Sequence, residues 1–132
     1  MNEIMSAIYT RFNTTNNLKT ALNGQMYPHE ALQSASFPYG VYMVVSNEFD
    51  EDFGDTHEYV SIQFSLFSEK ESAAEINTLY GHLKTLFDDQ ILTVSGYTML
   101  MFKRRTSQLV RDPEQATWHY IVDYEIILEG EK

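Results

Sequence analysis

Apolar residues recur along this chain with two different periods, which separate predicted helices from predicted strands. Over residues 3–12 they follow the spacing of a short amphipathic helix, at Ile4, Met5, Ile8 and Phe12. The polar run 13–17 ends this helix, because its side chains compete with the backbone for hydrogen bonds. Leu18, Ala21 and Leu22 predict one more helical turn, closed at Gly24, and residues 26–38 are expected to be irregular.

Strict alternation and β-branched runs predict four strands in the rest of the chain. The first covers residues 41–46, and the clearest covers residues 57–68, with one apolar face made by Val60, Ile62, Phe64 and Leu66. Residues 97–111 and 117–129 form a long hairpin through the turn Asp112-Pro113-Glu114. One apolar and one polar face per strand is typical of an antiparallel sheet that is covered on a single side.

A helix between the second and third strands is the natural cover for that apolar face. Ser68 and Glu71 have the spacing of a capping box that would open it. Its apolar stripe contains Ala73, Ile76, Leu79, Tyr80, Leu83 and Phe87. The sequence therefore predicts an α+β fold of order α-β-β-α-β-β, an antiparallel four-stranded sheet with helices packed on one face, as a single domain over residues 1–132.

Composition narrows the classes of function. The 132 residues include 43% hydrophobic and 21% charged residues, as in ordinary globular domains. A formal charge of −10 argues against a protein that wraps nucleic acid. The absence of cysteine excludes a disulfide scaffold, a thiolate zinc site and a cysteine nucleophile. With no apolar run of membrane-spanning length and no secretion signal at the N-terminus, we expect a soluble cytoplasmic protein.

Catalytic and metal-binding patterns are not found in the sequence. No nucleophile elbow, phosphate loop or dinucleotide fingerprint is present. No two histidines lie close together in sequence: they are His29, His57, His82 and His119. We therefore expect no catalytic residue, no metal ligand and no cofactor.

An acidic segment over residues 48–58 is predicted to be a hairpin loop. Its carboxylates are Glu48, Asp50, Glu51, Asp52, Asp55 and Glu58. It lacks the bidentate glutamate of a calcium-binding EF-hand, since Ser61 stands at the twelfth position. Three interpretations stay open: a solvated loop, weak adventitious cation binding, or contact with a basic patch on a partner.

A basic segment and two aromatic residues complete the candidate contacts. Four of the nine cations fall within nine residues, at Lys103, Arg104, Arg105 and Arg111. They indicate either a solvated edge that discourages aggregation or a contact with the acidic loop of an identical neighbour, and a nucleic-acid site is weakly supported. Tyr59 and Phe67 lie on the polar face of their strand, where aromatic residues often anchor an interface.

The order of these elements, together with four short signatures, resembles the tail completion, or tail terminator, family of long-tailed bacteriophages and prophages. The signatures are Gly24-Gln25-Met26-Tyr27-Pro28, Phe37-Pro38-Tyr39-Gly40-Val41-Tyr42, the alternating strand 59–67, and Ser72-Ala73-Ala74-Glu75. The resemblance covers nearly the whole chain. It implies a structural protein without an active site.

The resemblance also implies how such a protein works. Subunits would form a ring, typically of six copies, that caps the finished tail tube, ends its polymerisation and presents the head–tail joining surface. Its partners would be the tube protein and a head-completion or connector protein, with DNA only passing through the lumen and no membrane involved. It would assemble in the host bacterial cytoplasm and remain in the tail or neck of the virion. By position, the acidic loop and the hairpin around residues 103–113 would make the contacts.

Three alternatives remain at this point. The chain could be another neck, connector or tail-tube component. It could be a small metal-dependent hydrolase that uses His57 with Asp55 and Glu58. It could also be a regulatory module that binds a small ligand, although no polar pocket signature is visible.

Overall fold

The computed structural model describes residues 2–52 and 55–130, with only the backbone of residues 50–52 and 55. Its elements in chain order are α1 (Asn2–Phe12), α2 (Asn17–Ala21), β1 (Met26–Pro28), β2 (Tyr39–Asp52), β3 (Asp55–Ser68), α3 (Ala74–Phe87), β4 (Tyr97–Asp112) and β5 (Thr117–Gly130). None of the helices in these ranges is long and apolar enough to cross a membrane.

The sheet has five strands in the order β1-β2-β3-β5-β4, so the predicted antiparallel four-stranded sheet is wrong by one parallel edge strand. The predicted element order α-β-β-α-β-β lacks this strand and counts α1 and α2 as one helix. The α+β class is confirmed. β1 pairs in parallel with β2, whereas the other three pairs are antiparallel. The missed strand has only three residues and ends in Pro28, which an edge strand tolerates. Gly40 makes the close pairing possible, since a Cβ there would lie 2.9 Å from the Met26 sulfur.

The acidic segment 48–58 is not a loop. β2 and β3 continue through it as an antiparallel hairpin, here called the acidic arm, with Glu48 opposite Tyr59 and Phe49 opposite Glu58. β5 pairs with β3 as far as His57, so only the described tip of the arm is two-stranded. Acidic residues have low strand propensity, so the pattern alone favoured a loop over an extended ladder. The arm is formed because each residue adds cross-strand hydrogen bonds to a register that the buried part of β3 already fixes.

α3 begins at Ala74, later than the capping box predicts, and the capping box itself is wrong. The Ser68 hydroxyl donates to Glu75 Oε1 at 2.6 Å and accepts from the Lys70 amide at 3.3 Å, instead of capping with Glu71. The N-cap of α3 is Ala73, which has no side-chain cap, and the Ser72 hydroxyl before it accepts from the Ala74 amide at 3.1 Å. The predicted apolar stripe is confirmed, since its members Ile76, Leu79, Leu83 and Phe87 are all buried.

The core lies between the three helices and one face of the sheet. Alternate residues of β3 and β5 enter it, as predicted: Val60, Ile62, Phe64, Leu66, Val122, Tyr124, Ile126 and Leu128. α1 contributes Ile4, Ile8 and Phe12 to the same core. Burial of this continuous apolar surface is the main term that stabilises the fold.

Candidate functional site

The acidic arm divides into exposed and buried parts. Glu48 is exposed on β2, whereas Glu58 on β3 is only 2% exposed. The other four predicted acidic contacts have side chains outside the described residues: Asp50, Glu51, Asp52 and Asp55. Among the described carboxylates of the arm, Glu48 is therefore accessible to a partner and Glu58 belongs to the buried base.

Glu58 is held among residues of three strands. Its Oε1 accepts a hydrogen bond from Asn47 Nδ2 at 3.4 Å, and its Oε2 has no partner among the described residues. Interaction with the Glu58 side chain, with further contributions from burial, raises the pKa of Tyr97 to about 12. The local sequence does not reveal that Glu58 is buried, because Tyr97, which lies against it, comes from a strand far along the chain.

The basic segment is largely used within the chain. Arg105 Nε pairs with Glu125 at 2.7 Å, and the Arg111 guanidinium lies 4.8 Å above the Trp118 ring. Arg104 pairs with Asp88 at 3.1 Å, while Lys103 is exposed. Of the four predicted contact cations, Lys103 alone is both exposed and without an ion-pair partner in the part of the chain that the structure describes.

Arg104 belongs to a polar cluster that the sequence patterns did not reveal. Asp88, which follows the last turn of α3, accepts from Arg104 Nε at 3.2 Å and from the buried Tyr124 hydroxyl at 2.5 Å. Arg104 Nη1 also donates to the Tyr80 hydroxyl at 2.7 Å. Hydrogen bonding to Asp88 raises the pKa of Arg104, and burial raises the pKa of Tyr124. The cluster ties β4 and β5 to the end of α3.

The face of the sheet opposite the helices carries an aromatic stack. The ring of Phe67 lies 4.8 Å from that of Tyr39 and 4.2 Å from that of His119. Tyr59 stands on the same face of β3, and both predicted aromatic contacts are half-buried. The stack spans β2, β3 and β5, so it forms a rigid apolar surface rather than isolated exposed rings.

Because His119 belongs to the aromatic stack, the free energy of unfolding should depend on pH. Burial lowers the pKa of His119, so the folded chain keeps the imidazole neutral while the unfolded chain takes up a proton below about pH 6.5. The free energy of unfolding should therefore fall as the pH falls through that value. Urea denaturation at about pH 7.5 and about pH 5 measures the loss. A His119→Phe variant should lose less over the same interval, and an equal loss in both proteins would contradict the assignment.

Two of the three residues of the alternative hydrolase site, His57 and Glu58, do not face each other. His57 and Glu58 are consecutive in β3, so their side chains point to opposite faces of the sheet. The side chain of Asp55 lies outside the described residues. Within ranges 2–52 and 55–130, no group of three His, Cys, Asp or Glu residues is placed to hold a metal ion.

One of several surface clefts lies between α1 and α3. It is lined by Arg11, Asn16, His82 and Thr85. Arg11 is engaged there by its own chain, since its Nε donates to the Leu86 carbonyl at 3.1 Å. Arg11 Nη2 also donates to Gln90 Oε1 at 3.3 Å, so two of its three guanidinium nitrogens are held by the chain itself.

Comparisons with known proteins agree with this architecture. A chain of the structure titled "Virion of native gene transfer agent (GTA) particle" has a TM-score of 0.83 and 10% identity, covering 98% of this chain and 96% of that chain. A second solved structure has a TM-score of 0.61 and 11% identity, covering 99% of this chain and 95% of its own. At such identities the likeness shows the fold alone. No curated protein matches the sequence.

Sequence comparison assigns the family directly. A family model described as "Tail completion protein gp17" matches residues 6–129, which include every element from the middle of α1 through most of β5. The resemblance predicted from the element order is therefore confirmed. The chain belongs to the tail completion protein gp17 family, whose members are structural proteins of phage tails.

Proposed function

We propose that this chain caps the phage tail tube as an oligomeric ring, ends tube polymerisation and forms the surface that joins the tail to the head. The family match over residues 6–129 is the observation that carries this proposal. The whole chain acts as one structural unit, and it needs neither a cofactor nor catalysis. In a ring of six copies, one side contacts the tube protein and the other a head-completion or connector protein.

The charge of the chain is consistent with a ring through which DNA passes. With a formal charge of −10, most of the surface repels phosphates, so DNA in the lumen would not be trapped. The same charge keeps free subunits soluble in the host cytoplasm until they reach the tube. DNA is then a passing neighbour rather than a ligand, and the assembled ring remains in the tail or neck of the virion.

The contacts in this ring use the charged strands and the aromatic stack. The outer arm of the β2–β3 hairpin carries the carboxylates, β4 carries the cations, and the open sheet face carries Tyr59 and Phe67. The proposed contact residues are Glu48, Asp50, Glu51, Asp52, Asp55, Glu58, Tyr59, Phe67, Lys103, Arg104, Arg105 and Arg111. Because Arg104, Arg105 and Glu58 also have roles within their own chain, the exposed Glu48 and Lys103 are the better first targets.

Electron microscopy of tails assembled with and without this chain tests the proposal. Tails made without it should be longer and of irregular length, because nothing stops addition of tube subunits. Adding back the purified chain, or a Gln115→Ala variant changed only in an exposed turn, should restore the normal length. Normal tails in its absence would refute termination, and long tubes formed by the purified chain alone would identify a tube subunit instead.

A further inference from the structure

The sheet has two open edges on different strands. β4 pairs with β5 along one side, and no strand of the described chain lies along its other side. β2 is covered by β1 only from Gly40 to Tyr42, so residues 43–52 have an open edge within the described ranges. Unpaired edges expose rows of amide and carbonyl groups, which pair readily with another strand.

The directions of these strands allow one chain to continue the sheet of another. Three antiparallel steps lead from β2 through β3 and β5 to β4, so β4 runs opposite to β2. A copy rotated about an axis along the strands keeps its strand directions, and its β2 would therefore lie antiparallel to β4. The contact joins two different edges, so it repeats from copy to copy instead of stopping at a dimer, and it gives a ring where the rotation between copies closes.

The two open edges carry charges of opposite sign, which favours contact between them. The open part of β2 carries four carboxylates, whereas β4 carries Lys103 and three arginines. Arg104 and Arg105 contribute less, because each already pairs with a carboxylate of its own chain.

Irregularities in β4 limit the part of its edge that can pair. Its register shifts between Met99 and Met101 and again between Arg104 and Thr106, and such bulges interrupt an edge. Residues 106–112 pair with β5 without a further shift. In the sheet of one chain, Ser107 lies level with Tyr42, where β1 covers β2, so the neighbour must be displaced along the strands. Displacement of this kind is also what closing a sheet into a ring requires.

We infer that the partner of this edge is a second copy of the chain: residues 44–50 of β2 in one subunit pair antiparallel with residues 106–112 of β4 in the next, forming one continuous sheet. The inference rests on the proposed ring and specifies how its subunits join. The smallest displacement that clears β1 and keeps the open faces of the two sheets on the same side places Gln108 opposite Glu48 on that face. It also brings the outer end of β2 beside Lys103. Side chains directly opposite in an antiparallel pair have Cβ atoms about 4.5–5.5 Å apart, which is close to the separation in a disulfide.

Disulfide trapping tests this contact cleanly, because the chain contains no cysteine. Glu48 and Gln108 are both exposed, so cysteine at these positions should leave the fold intact. Under mild oxidation the Glu48→Cys/Gln108→Cys variant should give a ladder of covalent oligomers, at least ten times the yield of either single variant. A matched Gln115→Cys/Glu48→Cys variant, with one cysteine in the exposed turn, should give no ladder.

The outcomes separate this inference from the proposed function. Native mass spectrometry of the same samples reports whether a ring is present. A ring without the ladder overturns edge pairing between β2 and β4 but leaves tail capping in place. Dimerisation of the Gln108→Cys variant alone has the same consequence, because it would show β4 paired with β4. Absence of any ring, with tails of normal length made without the chain, overturns both.

Discussion

Replacing Phe64 with alanine should lower the free energy of unfolding by about 3–5 kcal/mol, a large share of the stability of a small domain. Phe64 has no exposed surface, and its ring lies 4.8 Å from that of Phe87 and 5.5 Å from that of Tyr124. Truncation removes contacts to β5 and α3 at once, and the surrounding backbone is too constrained to fill the space. Urea denaturation, followed by circular dichroism, measures the change in midpoint.

Phe67→Ala is the matched control, with the same residue type three positions along β3 but on the open face. Phe67 is half-buried and stacks on Tyr39 and His119 without a helix above it. Its loss should cost about 1 kcal/mol, the scale of aromatic pair interactions. Equal destabilisation by the two substitutions would contradict the assignment of the core to the helix-covered face.

The parts of the fold that sequence patterns predicted are those where burial repeats with a fixed period. β3 and β5 alternate over their buried lengths because one face meets the helices, and α3 repeats every three to four residues for the same reason. The patterns failed where tertiary contacts decide the local structure. β1 is too short to alternate, and the outer part of β2 is extended only because β3 pairs with it.

The candidate site was less predictable, because its side chains find partners far along the chain. A run of cations at residues 103–105 indicates a free basic patch, but Asp88 and Glu125 neutralise two of them. The sequence pattern predicts that Glu58 lies in a loop, although the fold buries it beside Asn47. Local spacing carries no information about such pairs. It does show that Asp88 stands at the C-terminal end of a helix, where a negative charge is unfavourable, and this is the one local sign of a nearby cation.

Asp88→Ala should lower the free energy of unfolding by about 2 kcal/mol, mainly through Tyr124. The Tyr124 side chain is 1% exposed, and its hydroxyl donates to Asp88 Oδ1 at 2.5 Å. Without the carboxylate, this hydroxyl stays buried with its donor unpaired. The lost pair with Arg104 adds little, because that side chain is 35% exposed and surface ion pairs are worth about 0–1 kcal/mol. Removing a negative charge from the C-terminal end of α3 stabilises the helix by about 0.3–1 kcal/mol and offsets part of the loss.

Three further variants distinguish the buried hydroxyl from the surface charge as the cause. Asp88→Asn keeps an oxygen that accepts from Tyr124, so it should lose less than Asp88→Ala, and Arg104→Ala should lose less than about 1 kcal/mol. Tyr124→Phe removes the hydroxyl, so adding Asp88→Ala to this variant should lower the free energy of unfolding only a little further. The double-mutant cycle should therefore give a coupling of about 1 kcal/mol or more. Additive losses, or a loss for Arg104→Ala as large as that for Asp88→Ala, would show that the ion pair dominates. In that case the strength of the link between β4, β5 and α3 would vary with salt, because screening weakens exposed charges far more than a buried hydrogen bond.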